Sequence, residues 1–274
     1  MADIYGSHFE YGGISSRKYG LIIANLSTTR NTSVSGDING VTVFNKATKA
    51  RHLIEDDYSS SPMSIPVDIV IDGDCPIGRE ERREIEKWLF NRHEYIPLYL
   101  DVEDDCYGDT YEVIDGIQKR LYFNCRFVNP TRLEYNGGVS GYSVTMETDI
   151  GMWWQDSIIK TFEPDTSSPS VITVEVDTDL DDFTYPKVTI TTGEIGGTIS
   201  IVNSSDDSSR LTKFIELPAH STFVIDGNVN FVTRVYYSKF YNRNFPRLVD
   251  GENQISIIGD VSAITFEYQN RRFL

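Results

Sequence analysis

Short runs in which apolar and polar residues alternate dominate this chain, and they read as strands. In the second half they recur at a spacing of roughly ten residues, as in a sandwich of antiparallel strands. They fall at Val171–Val176, Lys187–Thr192, Gly197–Asn203, Lys213–Leu217, Thr222–Ile225, Asn230–Tyr236, Gln254–Gly259 and Ala263–Tyr268. The first half has longer pieces. Tyr19, Leu21 and Ile23 share one face, and Met63–Ile71, Tyr95–Val102 and Thr110–Ile114 are further strands. Leu121, Phe123, Cys125 and Phe127 line one face of a strand expected to stop at Asn129-Pro130. Arg132–Tyr135 and Tyr142–Glu147 pair across Asn136-Gly137-Gly138, a tight-turn signal.

One stretch has a different period. Pro76–His93 carries Ile85, Trp88 and Leu89 at i, i+3, i+4, with Glu80 and Glu81 near its start and Lys87, Arg92 and His93 near its end. That charge order suits a helix dipole, and the narrow apolar stripe suits a helix laid across a sheet, with Trp88 buried beneath it. A second local feature is Val41–Ile54, two short candidate strands joined by the polar, basic connection NKATKA. A hairpin with so little core is marginal on its own. Its cationic residues Lys46, Lys49 and Arg51, on an acidic chain, are therefore expected at an interface with a neighbouring subunit.

Composition changes at EPDTSSPS, residues 163–170, which holds two prolines, three serines and no aromatic residue. The expected organisation is an N-terminal domain over residues 1–162, a linker at 163–170 and a separate C-terminal β-sandwich over residues 171–274. The fold class is mainly β with one helix: an N-terminal β-sandwich plus α-helix and hairpin arm, followed by the second sandwich.

The 274 residues are 39% hydrophobic, enough for packed cores, and no apolar run reaches the ~18 residues that span a bilayer. The opening MADIYGSHFEYGG has neither a basic nor an apolar leader region, so no export signal or membrane association is expected. Without export, the Asn-x-Ser triplets at Asn25, Asn31 and Asn203 carry no message. Cys75, Cys106 and Cys125 form no C-x-x-C pair and read as free thiols in a reducing compartment. A net charge of −16 excludes a phosphate clamp for nucleic acid but suits a surface past which DNA slides without sticking.

Catalytic and metal signatures fail one by one. H-E-x-x-H, the P-loop and G-x-G-x-x-G are absent, and Gly138-Val139-Ser140-Gly141 lacks the spacing of a nucleophile elbow. Asp177-Thr178-Asp179-Leu180-Asp181 starts like a calcium loop, but Asp182 stands where glycine is needed and Val188 where a bidentate Glu is needed. No cofactor or metal site and no enzymatic activity are expected. The aromatic run Phe231–Tyr241, FVTRVYYSKFY, reads as a core strand with alternating faces, with a sugar platform as the alternative.

Several stretches, in order, resemble the distal tail protein family of long-tailed, siphovirus-type bacteriophages. They are Phe9–Ser16, Tyr19-Gly20-Leu21, the helix segment REERREIEKWL with Pro97–Leu100, Leu121–Cys125, and Asn129-Pro130. Gly141–Asp149 with Trp153-Trp154, Phe245–Ile257 and Tyr268–Leu274 complete the series. The resemblance implies a homo-oligomeric ring, a hexamer in most members, built by the N-terminal domain, and a galectin-like C-terminal sandwich. It implies a structural hub in the virion tail tip or baseplate, assembled in the host cytoplasm, with a lumen for DNA. Implied partners are the tail tube protein, the tape measure protein, a tail-tip hub or tail-associated lysin protein, and a receptor-binding protein. Some relatives carry an inserted carbohydrate-binding module; no insertion of that size is present here. The rivals from other classes are a carbohydrate-binding tail adhesin using the C-terminal sandwich, and a tail-tip hydrolase.

Overall fold

The structure, a computed structural model, describes residues 6–24, 41–43, 51–53, 62–73, 75–101, 110–135, 137–164, 169–179 and 182–272; for 41–43 and 51–53 only the backbone is described. The chain divides into two compact units, Met1–Gln155 with Arg272–Leu274, and Asp156–Arg271.

The first unit contains β1 (Gly6–Ser7), β2 (Phe9–Tyr11), β3 (Ile14–Ser15), β4 (Leu21–Ala24), β5 (Val41–Val43), β6 (Arg51–Leu53) and β7 (Ser64–Ile71). Then come α1 (Arg79–Phe90), β8 (Ile96–Leu100), β9 (Tyr111–Ile114), β10 (Ile117–Tyr135), β11 (Gly138–Thr148) and β12 (Trp153–Gln155). The main sheet is antiparallel, in the order β1-β4-β7-β11-β10-β8-β2-β3. Its two ends meet through the chain, because β1 and β2 are separated by His8 alone. Gly6 and Ser7 pair with Ala24 and Ile23, while Phe9 and Tyr11 pair with Leu100 and Leu98. His8 secures both sides: its carbonyl accepts from Asp101 N at 2.8 Å, and its Nδ1 donates to Leu21 O at 2.8 Å. The sheet thereby wraps a single core, with side chains from β2, β4, β7, β8, β10 and β11 in one apolar cluster.

The helix plugs that core as its stripe predicts. Ile85, Trp88 and Leu89 are buried, Glu80 and Glu81 lie in the first turn, and Lys87 lies in the last. Trp88 stacks on Phe9 with centroids 5.8 Å apart and leans on Tyr11 and Tyr19; its Nε1 donates to Tyr11 O at 2.9 Å. The indole thus satisfies its one polar atom while packing among the rings of Phe9, Tyr11 and Tyr19. Cys125, buried in the same core, has its thiol pushed well above the usual range by desolvation and so stays protonated and unreactive.

One strand runs on where the sequence predicts an end. Asn129-Pro130 does not stop β10; the register against β11 shifts between Val128 and Thr131, and Asn129 takes a left-handed φ of 53°. This is a β-bulge, the setting in which a strand tolerates proline because no ladder hydrogen bond is required there.

The second unit is a sandwich of two sheets. One has the order β13-β21-β15-β18-β19, formed by Ile158–Phe162, Val261–Tyr268, Lys187–Thr192, Thr222–Asp226 and Phe231–Val232. The other has the order β14-β20-β16-β17, formed by Ser170–Val176, Gly251–Ile258, Gly197–Asn203 and Leu211–Leu217. Phe214 of β17 meets Phe223 of β18 at 4.9 Å between ring centroids, and Tyr268 Oη of β21 donates to Glu175 O of β14 at 2.5 Å. Both contacts tie one sheet to the other.

The pairing moves the expected boundary. Ile158–Phe162, assigned to the first domain by sequence, is hydrogen-bonded along its whole length to β21, from Ile158↔Tyr268 to Phe162↔Ile264. Residues 163–170 therefore connect two strands of the second unit, and the division falls at Gln155/Asp156. A strand's partner a hundred residues away leaves no local mark, so composition alone points to the wrong side of β13.

Two outcomes follow. Trp88→Ala should destabilise the first unit by ~3–5 kcal/mol, the range for truncating a buried aromatic; a urea melt of the full chain unchanged from wild type would show that the indole is not a structural plug. A fragment spanning 156–271 should give a dispersed, folded NMR spectrum, whereas 171–274, stripped of its edge strand, should not; equal spectra would restore the sequence-based cut.

Candidate interaction surfaces

The predicted interface residues are only partly visible. β5 and β6 do form a hairpin, with Val41↔Leu53, Thr42↔His52 and Val43↔Arg51 in register. Arg51 thus sits on the second strand, while Lys46 and Lys49 lie outside the described residues.

A second hairpin, not anticipated from sequence, is fully described. The first residues of β10, Ile117 to Arg120, pair only with β9, so this part leaves the main sheet as a two-stranded ribbon. Asp115 and Gly116 turn it, both with positive φ (51° and 75°), the geometry of a type I′ turn. Asp-Gly between two strand patterns is the signal that would have found it. The ribbon's base is fastened: Arg272 donates twice to Glu112, at 2.7 and 2.9 Å, and Gln155 Nε2 also donates to Glu112. Its outer part carries apolar side chains on both faces. Val113 is 64% exposed beside Tyr111, and Ile117 is 60% exposed on the other side. An apolar ribbon with two open faces is a surface made to be covered.

The third surface is a correction. Phe231–Tyr241 is not a core strand. After β19 the chain turns into a short 3₁₀ helix, Arg234–Lys239, and then meets β17 through an isolated bridge, Phe214↔Phe240. β19 and β17 are edges of the two different sheets, so this strap crosses the open side of the sandwich. Val232 and Phe240 are buried, Phe240 stacks on Phe214 at 4.6 Å, and half-buried Tyr236 packs on Phe223 at 5.2 Å. Val235 at 73% and Tyr241 at 67% exposure face out, with Phe231 and Tyr237 also exposed. An alternating strand was impossible here because crossing from sheet to sheet requires the chain to leave the ladder direction.

Groups that looked chemically suggestive are otherwise engaged. Ser140 Oγ donates to Leu133 O across the β10–β11 hairpin at 3.2 Å. Asp182 Oδ1 accepts from Phe183 N at 2.6 Å, and Asp250 Oδ1 from Thr178 N at 3.0 Å. Glu86, which lines a groove of about 570 Å³ with Phe90, Pro130, Thr131, Arg132 and Tyr142, accepts from Arg132 Nε at 2.9 Å and Tyr142 Oη at 3.4 Å. Desolvation, with the Glu86 charge next, raises the Tyr142 phenol far above its usual range. Among the described residues no three His, Cys, Asp or Glu side chains gather as metal ligands.

Two solved structures share this architecture. The crystal structure of the SPP1 Dit protein, titled a paradigm of the hub adsorption apparatus in Gram-positive infecting phages, aligns over 97% of this chain and 99% of its own, with TM-score 0.61 and 9% identity. A chain of the phage P2 baseplate, in its activated conformation with calcium, aligns over 96% and 97%, with TM-score 0.50 and 7% identity. At such identities the likeness concerns the fold. No curated protein matches in sequence. Family models do match: one described as a phage tail protein N-terminal domain over residues 4–150, and one described as a phage tail C-terminal domain over residues 154–268. The two matches meet beside the Gln155/Asp156 division and cover nearly the whole length, so the chain belongs to the family of phage tail proteins.

Proposed function

We propose that this tail protein is the hub subunit of a siphovirus-type tail tip, a non-enzymatic component whose copies close into a hexameric ring between the tail tube and the tip or baseplate. The observation that carries the reading is the end-to-end likeness of fold to the SPP1 hub protein, 97% of one chain against 99% of the other. In this reading the first unit builds the ring, DNA passes through the lumen, and the second unit extends as a galectin-like sandwich. The tail tube, tape measure, tail-tip hub or lysin, and receptor-binding proteins are its neighbours, met during assembly in the host cytoplasm. The net charge of −16 supports the lumen: like charge keeps a passing duplex from sticking.

A ring needs heterologous contacts, in which one patch of each subunit meets a different patch of the next. The apolar ribbon and the basic hairpin are the two features suited to it. Light scattering on the purified chain should give a mass about six times that of a single copy; a monomer at every concentration would overturn the ring. Val113→Asp with Ile117→Asp should dissolve the oligomer while each subunit keeps its circular dichroism, because a charge in a desolvated contact is costly. Charge reversal of Lys46, Lys49 and Arg51 together should weaken assembly, more so at low salt. If that triple variant assembles like wild type across salt concentrations, the hairpin lies outside the interface.

A further inference from the structure

The strap across the second unit differs in composition from the rest of the chain. Residues 227–249 include Arg234, Lys239, Arg243 and Arg247 but no Asp or Glu, on a protein of net charge −16. Two of these cations are occupied. Arg247 grips Asp206 at 2.7 and 2.9 Å and lies 3.5 Å over the Phe183 ring; Lys239 Nζ donates to Glu216 O. Arg234 and Arg243 are exposed, and half-buried Lys213 of β17 reaches the ring of Tyr241.

Cations and rings are paired. The Arg243 guanidinium lies 5.2 Å from the Tyr237 ring centroid, and Lys213 Nζ lies 5.2 Å from that of Tyr241. The arrangement is built rather than draped. Arg243 has a left-handed φ of 55° and is held between two asparagines clamped to β17. Asn242 and Asn244 both donate to Leu211 O, Asn242 Oδ1 accepts from Lys213 N at 3.1 Å, and Thr212 Oγ1 donates to Asn244 O at 2.8 Å. Tyr241 N donates to Lys213 O at 2.8 Å. The backbone under both cation–ring pairs is thus fixed before any ligand arrives, which lowers the entropy lost on binding.

We propose that this strap binds an anionic polysaccharide, its sugar rings laid on Tyr237 and Tyr241 and its phosphate or uronate groups beside Arg243, Lys213 and Arg234. The surface is open, so it suits a polymer that gains from repeated weak contacts rather than a small molecule needing enclosure. A densely charged polyanion such as duplex DNA meets the repulsion of the whole acidic chain. A single-stranded glycan of lower charge density than a duplex meets mainly the local cations, and Arg243 and Lys213 each stand next to a tyrosine ring whose face a sugar can cover.

The test uses the full chain and isothermal titration with four probes. A glucose-bearing poly(glycerol phosphate) and polygalacturonate carry sugar with phosphate or with uronate, dextran carries sugar without charge, and polyphosphate carries charge without sugar. Binding is expected to at least one of the first two, weakening as salt rises, and not to dextran or polyphosphate; the tighter of the two identifies the anion. Tyr237→Ala with Tyr241→Ala, and Arg234→Glu with Arg243→Glu, should each lower affinity about tenfold or more at unchanged melting temperature, while Tyr241→Phe, which keeps the ring, should bind like wild type. No binding to either glycan overturns the proposal. So does equal binding to polyphosphate that the tyrosine variants leave untouched, since that is charge alone. Loss of self-association in the same variants, without glycan binding, also overturns it and makes the strap a protein contact.

Discussion

Closure of the main sheet at His8 is the constraint on which the first unit depends. A sheet edge is a row of unmet donors and acceptors. Here one short stretch, Gly6–Tyr11, meets two edges at once, first β4 and then β8. At the crossing His8 bonds both sides, one with its carbonyl and the other with its ring. Once the sheet is wrapped, its interior holds one apolar cluster, which Ile85, Trp88 and Leu89 of the helix join. The helix meets that cluster along one narrow stripe, and Trp88 reaches from Phe9 to Tyr19.

The second unit answers the same problem differently. Its two sheets are not joined into one ladder; they are tied across by aromatic pairs and by Tyr268. That leaves an open side, which the strap covers with Phe240 and Val232 while presenting Tyr237, Tyr241 and arginines to solvent. Covering an edge and displaying a surface are thus done by the same segment. The first unit keeps its displayed surface on a ribbon apart from its closure, and the two surfaces differ in chemistry: aliphatic on the ribbon, aromatic and basic on the strap.

Sequence patterning was a good guide wherever a residue's environment is set by its own strand or helix. Ile85, Trp88 and Leu89 are buried as their spacing requires, and Lys187–Thr192 and Gly197–Asn203 begin and end where alternation begins and ends. It failed where a distant partner decides. Ile158–Phe162 joins the second unit because of β21, not because of its neighbours. Asn129-Pro130 looks like a terminus but sits in a bulge that β11 tolerates. Phe231–Tyr241 has strand composition, yet its pairing with β18 ends at Val232 and the chain turns into a 3₁₀ helix. The ribbon was missed although its signal is local: Asp115-Gly116 lies between the two strands that it joins.

The length of β10 has a mechanical consequence. This single strand of 19 residues bonds in turn to β9, β12, β8 and β11. A pull along its axis loads those ladders in shear, so many hydrogen bonds must fail together. A pull across it peels them one at a time. The strand is therefore the stiff line of the unit, and the two places where its ladder with β11 is interrupted, Val128/Thr131 and Leu133/Glu134, are where that line is weakest.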